Sequence, residues 1–89
     1  MVFGSIIVNQ KGDTIVEFDF SKLLGRIVEK FGTRIACAQS AQIPESVFYS
    51  RLSGKTYFDQ EEIYRLAAPT CLDIATEDYA TYFFTPKVR

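Results

Sequence analysis

A chain of 89 residues, 47% hydrophobic and 15% aromatic, carries enough apolar material for one folded core; a second domain is not expected within this length, and the composition argues against disorder. No apolar run approaches the roughly 18 residues that a spanning helix needs, and the opening MVFGSIIVNQKGD has no basic stretch leading into a sustained apolar one. Neither a membrane segment nor a secretory leader is expected, and the cytoplasm is the default compartment; the formal net charge of -1 speaks against a nucleic-acid partner until its distribution along the chain is considered.

The first elements in chain order are two Ile- and Val-rich runs within Ser5 to Phe20, separated by Lys11-Gly12-Asp13. Such a pattern reads as a β-hairpin. In the second run Val16, Phe18 and Phe20 share one face, so this aromatic face is expected to lie on the body of the protein, as an isolated hairpin is marginal in water. Ser21 then stands as an N-cap to a first helix in SKLLGRIVEKFG, where Leu23, Leu24, Ile27, Val28 and Phe31 fall at helical spacing and Gly32 supplies the stop. Thr33 caps a second, short helix from Arg34 to about Ala41. A third is expected from Pro44 to Leu52, because Pro is tolerated in a first turn and Gly54 marks the end. Asp59-Gln60-Glu61-Glu62 has the pattern of a capping box, with Ile63, Leu66 and Ala67 as the apolar stripe of a fourth helix that ends or kinks at Pro69. Thr76, Glu77 and Asp78 open a short last helix through Tyr82, Phe83 and Phe84, stopped by Pro86.

Chemistry-bearing residues are sparse. The chain has no His, and Cys37 and Cys71 have no CxxC spacing, so a zinc site would need carboxylates for nearly all its ligands. Reduced, buried thiols are the simpler reading, and neither a metal nor a cofactor is expected. No nucleophile has a base nearby in the sequence, and the acidic run at Asp59 is explained by helix capping, so the chain is read as a non-enzyme.

The second and third helices carry the functional signal. A short helix, a turn of about four residues and a helix with one apolar face make the helix-turn-helix plan, whose second member meets base edges in the major groove. In AQIPESVFYSRLSGK the inward set is Ile43, Val47, Phe48 and Leu52, leaving Glu45, Ser46, Tyr49 and Ser50 outward. Glu can accept from a cytosine amino group, Ser can donate or accept, and a Tyr ring can touch a thymine methyl. Many proteins also join two helices by a tight turn without touching DNA. Between Ser21 and Tyr57, six basic residues (Lys22, Arg26, Lys30, Arg34, Arg51 and Lys55) face only Glu29 and Glu45, while residues 1–20 sum to -2 and residues 58–89 to -3. Phosphates within a Debye length of about 8 to 10 Å sense that local excess rather than the total.

Four segments together, SKLLGRIVEKFG, the stretch ending RLSGK, FDQEEI and YFFTPKV, resemble a small phage and prophage family of Cro-like or repressor-like helix-turn-helix proteins, catalogued largely as a domain of unknown function. The similarity spans about Phe18 to Val88. It implies a mainly α fold, a five-helix phage repressor or Cro-type domain over residues 21–89, preceded by a β-hairpin extension over residues 1–20. The implied role is sequence-specific binding of a double-stranded DNA operator in the cytoplasm of a bacterial host, to regulate phage or prophage transcription. By the same resemblance Thr33 and Arg34 face phosphate at the start of the second helix, Glu45, Ser46, Tyr49 and Ser50 read bases, and Ser53 and Lys55 lie beside the backbone. The family usually has Gly where this chain has Gln42 and a Ser or Thr cap where it has Pro44, and its fourth helix is normally uninterrupted where this chain has Pro69.

The alternative from the same scaffold is a protein-interaction module, such as an antirepressor, that binds a phage or host protein through the hairpin or the aromatic tail. Tyr79, Tyr82, Phe83 and Phe84 are read first as core, since a chain this small needs aromatics inside. Any surplus suits a homodimer seam, which would let two reading helices meet successive major grooves.

Overall fold

The computed structural model describes residues 6–8 and 14–87, with side chains from Glu17 onward. It is mainly helical, with five α-helices around one core. Two three-residue strands, β1 (Ile6–Val8) and β2 (Thr14–Val16), pair antiparallel with Ile7 opposite Ile15. The turn expected at Lys11-Gly12-Asp13, and the side chains that would define the faces of the hairpin as far as Val16, lie outside the described residues.

Helix α1 runs Ser21–Phe31. Ser21, expected as its cap, is instead its first residue: Phe20 holds the cap position and the Asp19 carboxylate accepts from the Ser21 N–H at 2.8 Å and from its hydroxyl. An acceptor one residue earlier does the capping because Phe20 must turn inward to pack. These hydrogen bonds from Ser21 hold the Asp19 carboxyl below its ordinary range. Leu23 and Ile27 are fully buried, while Val28, expected on the apolar stripe, is 64% exposed at its edge. Gly32 ends the helix at φ 80° and donates to the carbonyls of Ile27 and Val28.

Helix α2, Arg34–Ser40, begins as expected with the Thr33 hydroxyl accepting from the Ala36 N–H. Its C-terminus closes through a Schellman motif, in which the Ile43 N–H returns to the Ala38 carbonyl at 2.9 Å and that of Gln42 to the Gln39 carbonyl at 3.1 Å. The motif puts Gln42 at φ 59°, in the left-handed region. A Gly at this position would adopt that backbone without the Cβ penalty.

Helix α3 covers Glu45–Ser53 rather than Pro44 to Leu52. Pro44 stays extended at φ -55° and ψ 140° as the cap residue, and its carbonyl accepts from the Phe48 N–H. Gly54, at φ 88°, ends α3 and lets the Lys55 N–H fold back on the Ser50 carbonyl. Helix α4, Gln60–Ala67, carries the complete capping box: the Glu62 N–H donates to Asp59 at 2.7 Å and the Asp59 N–H to Glu62 at 3.0 Å. The helix stops two residues before Pro69, and the segment after it turns back so that the N–H groups of Leu72, Asp73 and Ile74 satisfy the carbonyls of Leu66, Ala68 and Ala67. Arg26 fastens this segment to α1 by donating to the carbonyls of Leu72 and Asp73.

The expected last helix divides in two. A 3-10 turn over Thr76–Asp78 leads into α5, Tyr79–Phe83. Beyond Phe84 the chain becomes extended and pairs with the residues before α1: the Asp19 N–H donates to Thr85 at 2.7 Å, the Lys87 N–H donates to Glu17 at 2.9 Å, and Phe18 bridges Pro86. Phe18 packs on Phe20, Tyr57 and Phe84, so residues 17–20 belong to the helical body in packing as well as in hydrogen bonding.

The core gathers Leu23, Ile27, Cys37, Phe48, Leu66, Leu72 and Phe83, all fully buried. Each large apolar side chain removed from water contributes about 1.5 to 3 kcal/mol. Phe58 joins the halves of this core, with edge-on contacts to Phe20, Phe48 and Phe83 at centroid separations of 5.6, 6.0 and 5.8 Å. Of the C-terminal aromatics expected inside, Phe83 is buried, Tyr79 and Tyr82 are half-buried, and Phe84 is 45% exposed. No helix among the described residues is long and apolar enough to cross a membrane.

Candidate nucleic-acid interface

The inner face of α3 is fixed before its outer face can do anything. Phe48 is fully buried, Ile43 is buried just before the helix, and Val47 and Leu52 pack half-buried against the core. A second restraint comes from charge: Arg51 Nε and Nη2 donate to the two carboxylate oxygens of Glu62 at 2.8 and 2.9 Å. This fork joins the last turn of α3 to the first turn of α4, with Glu62 also closing the capping box. Its Arg51 hydrogen bonds pull the Glu62 carboxyl down, burial opposes them, and the Asp59 N–H adds to the lowering. The Arg51 guanidinium is pushed up in turn by Glu62.

Those contacts leave a polar face outward. Glu45, Ser46 and Tyr49 are exposed, and Ser50 is half-buried. Ser50 Oγ lies 2.9 Å from Thr56 Oγ1, so its hydroxyl is shared with the loop after α3. Ser53 donates its hydroxyl to the Ser50 carbonyl at 3.1 Å, and Thr33 uses its oxygen to cap α2. Arg34 and Lys55 are exposed on either side.

Six of the eight residues singled out from the sequence, Arg34, Ser46, Tyr49, Ser50, Ser53 and Lys55, line one depression of about 560 Å³. Glu45 and Thr33 lie outside it. The depression therefore combines two cations with hydroxyls, one aromatic ring and the apolar side chains of Leu24 and Leu52. Arg34 does not stand alone: its guanidinium lies over the Tyr49 ring, 5.8 Å from the centroid.

Charge is less abundant here than the sequence count implies. Arg51 is matched by Glu62, which falls in the acidic C-terminal flank, and Arg26 is bonded to Glu29 and two backbone carbonyls. Sequence spacing offered no signal for the Arg51–Glu62 fork, because the capping-box pattern already accounted for Glu62. It also missed the meeting of the two cysteines. Cys37 and Cys71, both buried and free, share a hydrogen bond. That bond, and then burial, push the Cys37 thiol up, while the same bond lowers Cys71. Among the described residues no three His, Cys, Asp or Glu side chains gather as a metal site.

A second concavity, of about 720 Å³, lies on α4 and α5 and is lined by Phe58, Ile63, Tyr64, Tyr79 and Phe84, with Gln60 and Glu61 at its polar margin. Tyr64 is 71% exposed there.

A family model matches residues 16–86, that of a protein of unknown function, DUF739. The comparison with curated proteins finds no match.

Proposed function

We propose that this chain, which belongs to the DUF739 family, is a sequence-specific regulator that binds double-stranded DNA and presents α3 to the major groove, controlling phage or prophage transcription in the cytoplasm of a bacterial host. The observation that carries this reading is the contrast between the two faces of α3. Its inner face is held by buried Phe48 and the Arg51–Glu62 fork, whereas Ser46, Tyr49 and Ser50 line a depression flanked by Arg34 and Lys55, which Leu24 and Leu52 also line. A rigidly seated helix with outward polar groups is what base reading needs; the side chains of Glu45 and Ser46 are free of internal hydrogen bonds among the described residues, the Ser50 hydroxyl is shared with Thr56, and neighbouring positive charge supplies the phosphate attraction. In this reading Glu45, Ser46, Tyr49 and Ser50 meet base edges, and Thr33, Ser53 and Lys55 meet the backbone, with Arg34 adding charge. The resemblance to Cro-like and repressor-like proteins supports the same assignment. A homodimer would place two such helices on successive grooves.

The test is selection from a random-sequence duplex pool by the full chain, with affinity followed across salt concentration. An enriched sequence that binds tighter than its scrambled counterpart supports the proposal; uniform binding, or none, removes it. Ser46→Gln should then change preference at one or two base pairs by about 1 to 3 kcal/mol.

The groove bordered by Tyr64 and Phe84 favours a second reading, the protein-interaction module, because it is a mainly apolar concavity of about 720 Å³ that lies away from α3. That reading becomes the better account if no duplex is enriched.

A further inference from the structure

Three of the four described arginines are committed to acceptors within the fold. Arg26 donates to the Leu72 and Asp73 carbonyls and to Glu29, Arg51 closes its fork on Glu62, and Arg65 reaches Glu61 at 3.5 Å. Arg34 differs: among the described residues its contact is the face of Tyr49. At 5.8 Å from the centroid the guanidinium is attracted to the face of the ring by charge, a contact that engages none of its five N–H donors in a hydrogen bond. The contact therefore keeps the group beside α3 without using up its donors. It also reaches across the turn between α2 and α3, since Arg34 is the first residue of α2 and Tyr49 the central residue of α3.

Other donors around the same depression are weaker or occupied. The Ser50 hydroxyl is engaged with Thr56 and that of Ser53 with the Ser50 carbonyl. Lys55 offers a point charge on a flexible stem, suited to phosphate. Among the side chains lining the depression, Arg34 alone has a planar pair of donors, and the acceptor edge that matches such a pair in the major groove is O6 with N7 of guanine.

Building on the DNA-reading role proposed above, we infer that Arg34 is a specificity-determining residue, held by Tyr49 on the outer face of α3 so that it reads a guanine. This moves Arg34 from the phosphate-facing group, where the sequence resemblance put it, to the base-reading group. Tyr49 becomes a positioning residue for it.

The experiment uses the full chain and the duplex enriched from the random pool, with folding of each variant checked by circular dichroism. Arg34→Lys keeps the charge and loses the plane. It should reduce preference at one guanine by roughly tenfold to a hundredfold while leaving affinity for a scrambled duplex nearly unchanged. Tyr49→Ala should relax preference at the same base pair, Tyr49→Phe should not, and adding Arg34→Lys to Tyr49→Ala should cost little more. Replacing that guanine by 7-deazaguanine, which lacks the N7 acceptor, should weaken the wild-type chain and spare Arg34→Lys. The inference is overturned if Arg34→Lys retains wild-type preference, if it and Tyr49→Ala act at different base pairs, or if only neutralising a backbone phosphate reproduces the loss. Enrichment of no sequence at all is a separate failure, that of the DNA-reading proposal itself.

Discussion

At the scale of single residues, two positions carry more than their sequence context suggests. Gln42 occupies the left-handed C′ position of the Schellman motif at φ 59°, a backbone that costs a side chain with Cβ about 1 to 2 kcal/mol. Gln42→Gly should therefore stabilise the protein by roughly 0.5 to 1 kcal/mol, part of the relief being offset by the extra freedom of Gly in the unfolded chain. A rise in the urea midpoint at unchanged slope is the expected reading, and a fall would mean that the Gln42 side chain contributes a contact of its own. Glu62 is the second position. Glu62→Ala strands the Arg51 guanidinium and opens the capping box, and should cost about 3 kcal/mol or more. Because the folded-state pKa of Glu62 is depressed, its contribution is fully present above the ordinary carboxylate value of about 4.3 and is lost as the pH falls through the lowered value. The stability gap between wild type and Glu62→Gln should accordingly be constant near neutrality and close in acid. A gap that widens in acid would contradict the lowered pKa.

At the scale of elements, the joining of the two ends of the domain makes the sharpest prediction. Residues 17–19 pair with Thr85 to Lys87, and Phe18 and Phe20 pack into the aromatic cluster. Deleting residues 1–15 should preserve a single cooperative unfolding transition, whereas deleting residues 1–20 should cost at least about 3 kcal/mol through loss of the two rings alone. Equal behaviour of the two truncations in thermal unfolding would show that the seam contributes nothing. Local chemistry is also what made most helices readable in advance. Thr33, the Asp59–Glu62 box, Gly32 and Gly54 act within three or four residues of themselves, so their pattern survives in one dimension. Ser21 and Pro44 shifted by one position because side-chain packing and the extended backbone of Pro decided between adjacent candidates. The Phe18–Pro86 bridge, the Arg51–Glu62 fork and the Cys37–Cys71 contact join residues with no periodic relation, and nothing local marks such pairs. The candidate interface was legible in outline, since alternation of apolar and polar residues in α3 places Ser46 and Tyr49 outward. The internal use of the Ser50 and Ser53 hydroxyls was not legible, because it depends on how the loop after Gly54 folds back.

For the molecule as a whole, charge distribution matters more than the total of -1. With Arg26 and Arg51 paired internally, Lys22, Lys30, Arg34 and Lys55 remain as the exposed cations of the segment that contains α3. With Arg34 given to a base, one to three phosphate neutralisations per chain by the lysines of this face correspond to a slope of roughly -1 to -3 in log affinity against log salt. Titration by fluorescence anisotropy across low to moderate salt measures it. A slope near zero would place the binding energy elsewhere. Lys55→Ala should make the slope shallower by about one unit for selected and scrambled duplexes alike.

The Arg51–Glu62 fork also divides the surface into parts that diverge under different rules. Arg51, Glu62 and Asp59 form one interlocked set, in which each change strands a partner, so descendants of this chain should exchange those positions together or leave them alone. Ser46 and Tyr49, earlier on the same helix, carry no such obligation to the core. Across the family, positions 51 and 62 should covary as a pair while position 46 drifts from lineage to lineage and position 49 changes with position 34, the inheritance pattern of a fixed mount holding an exchangeable key.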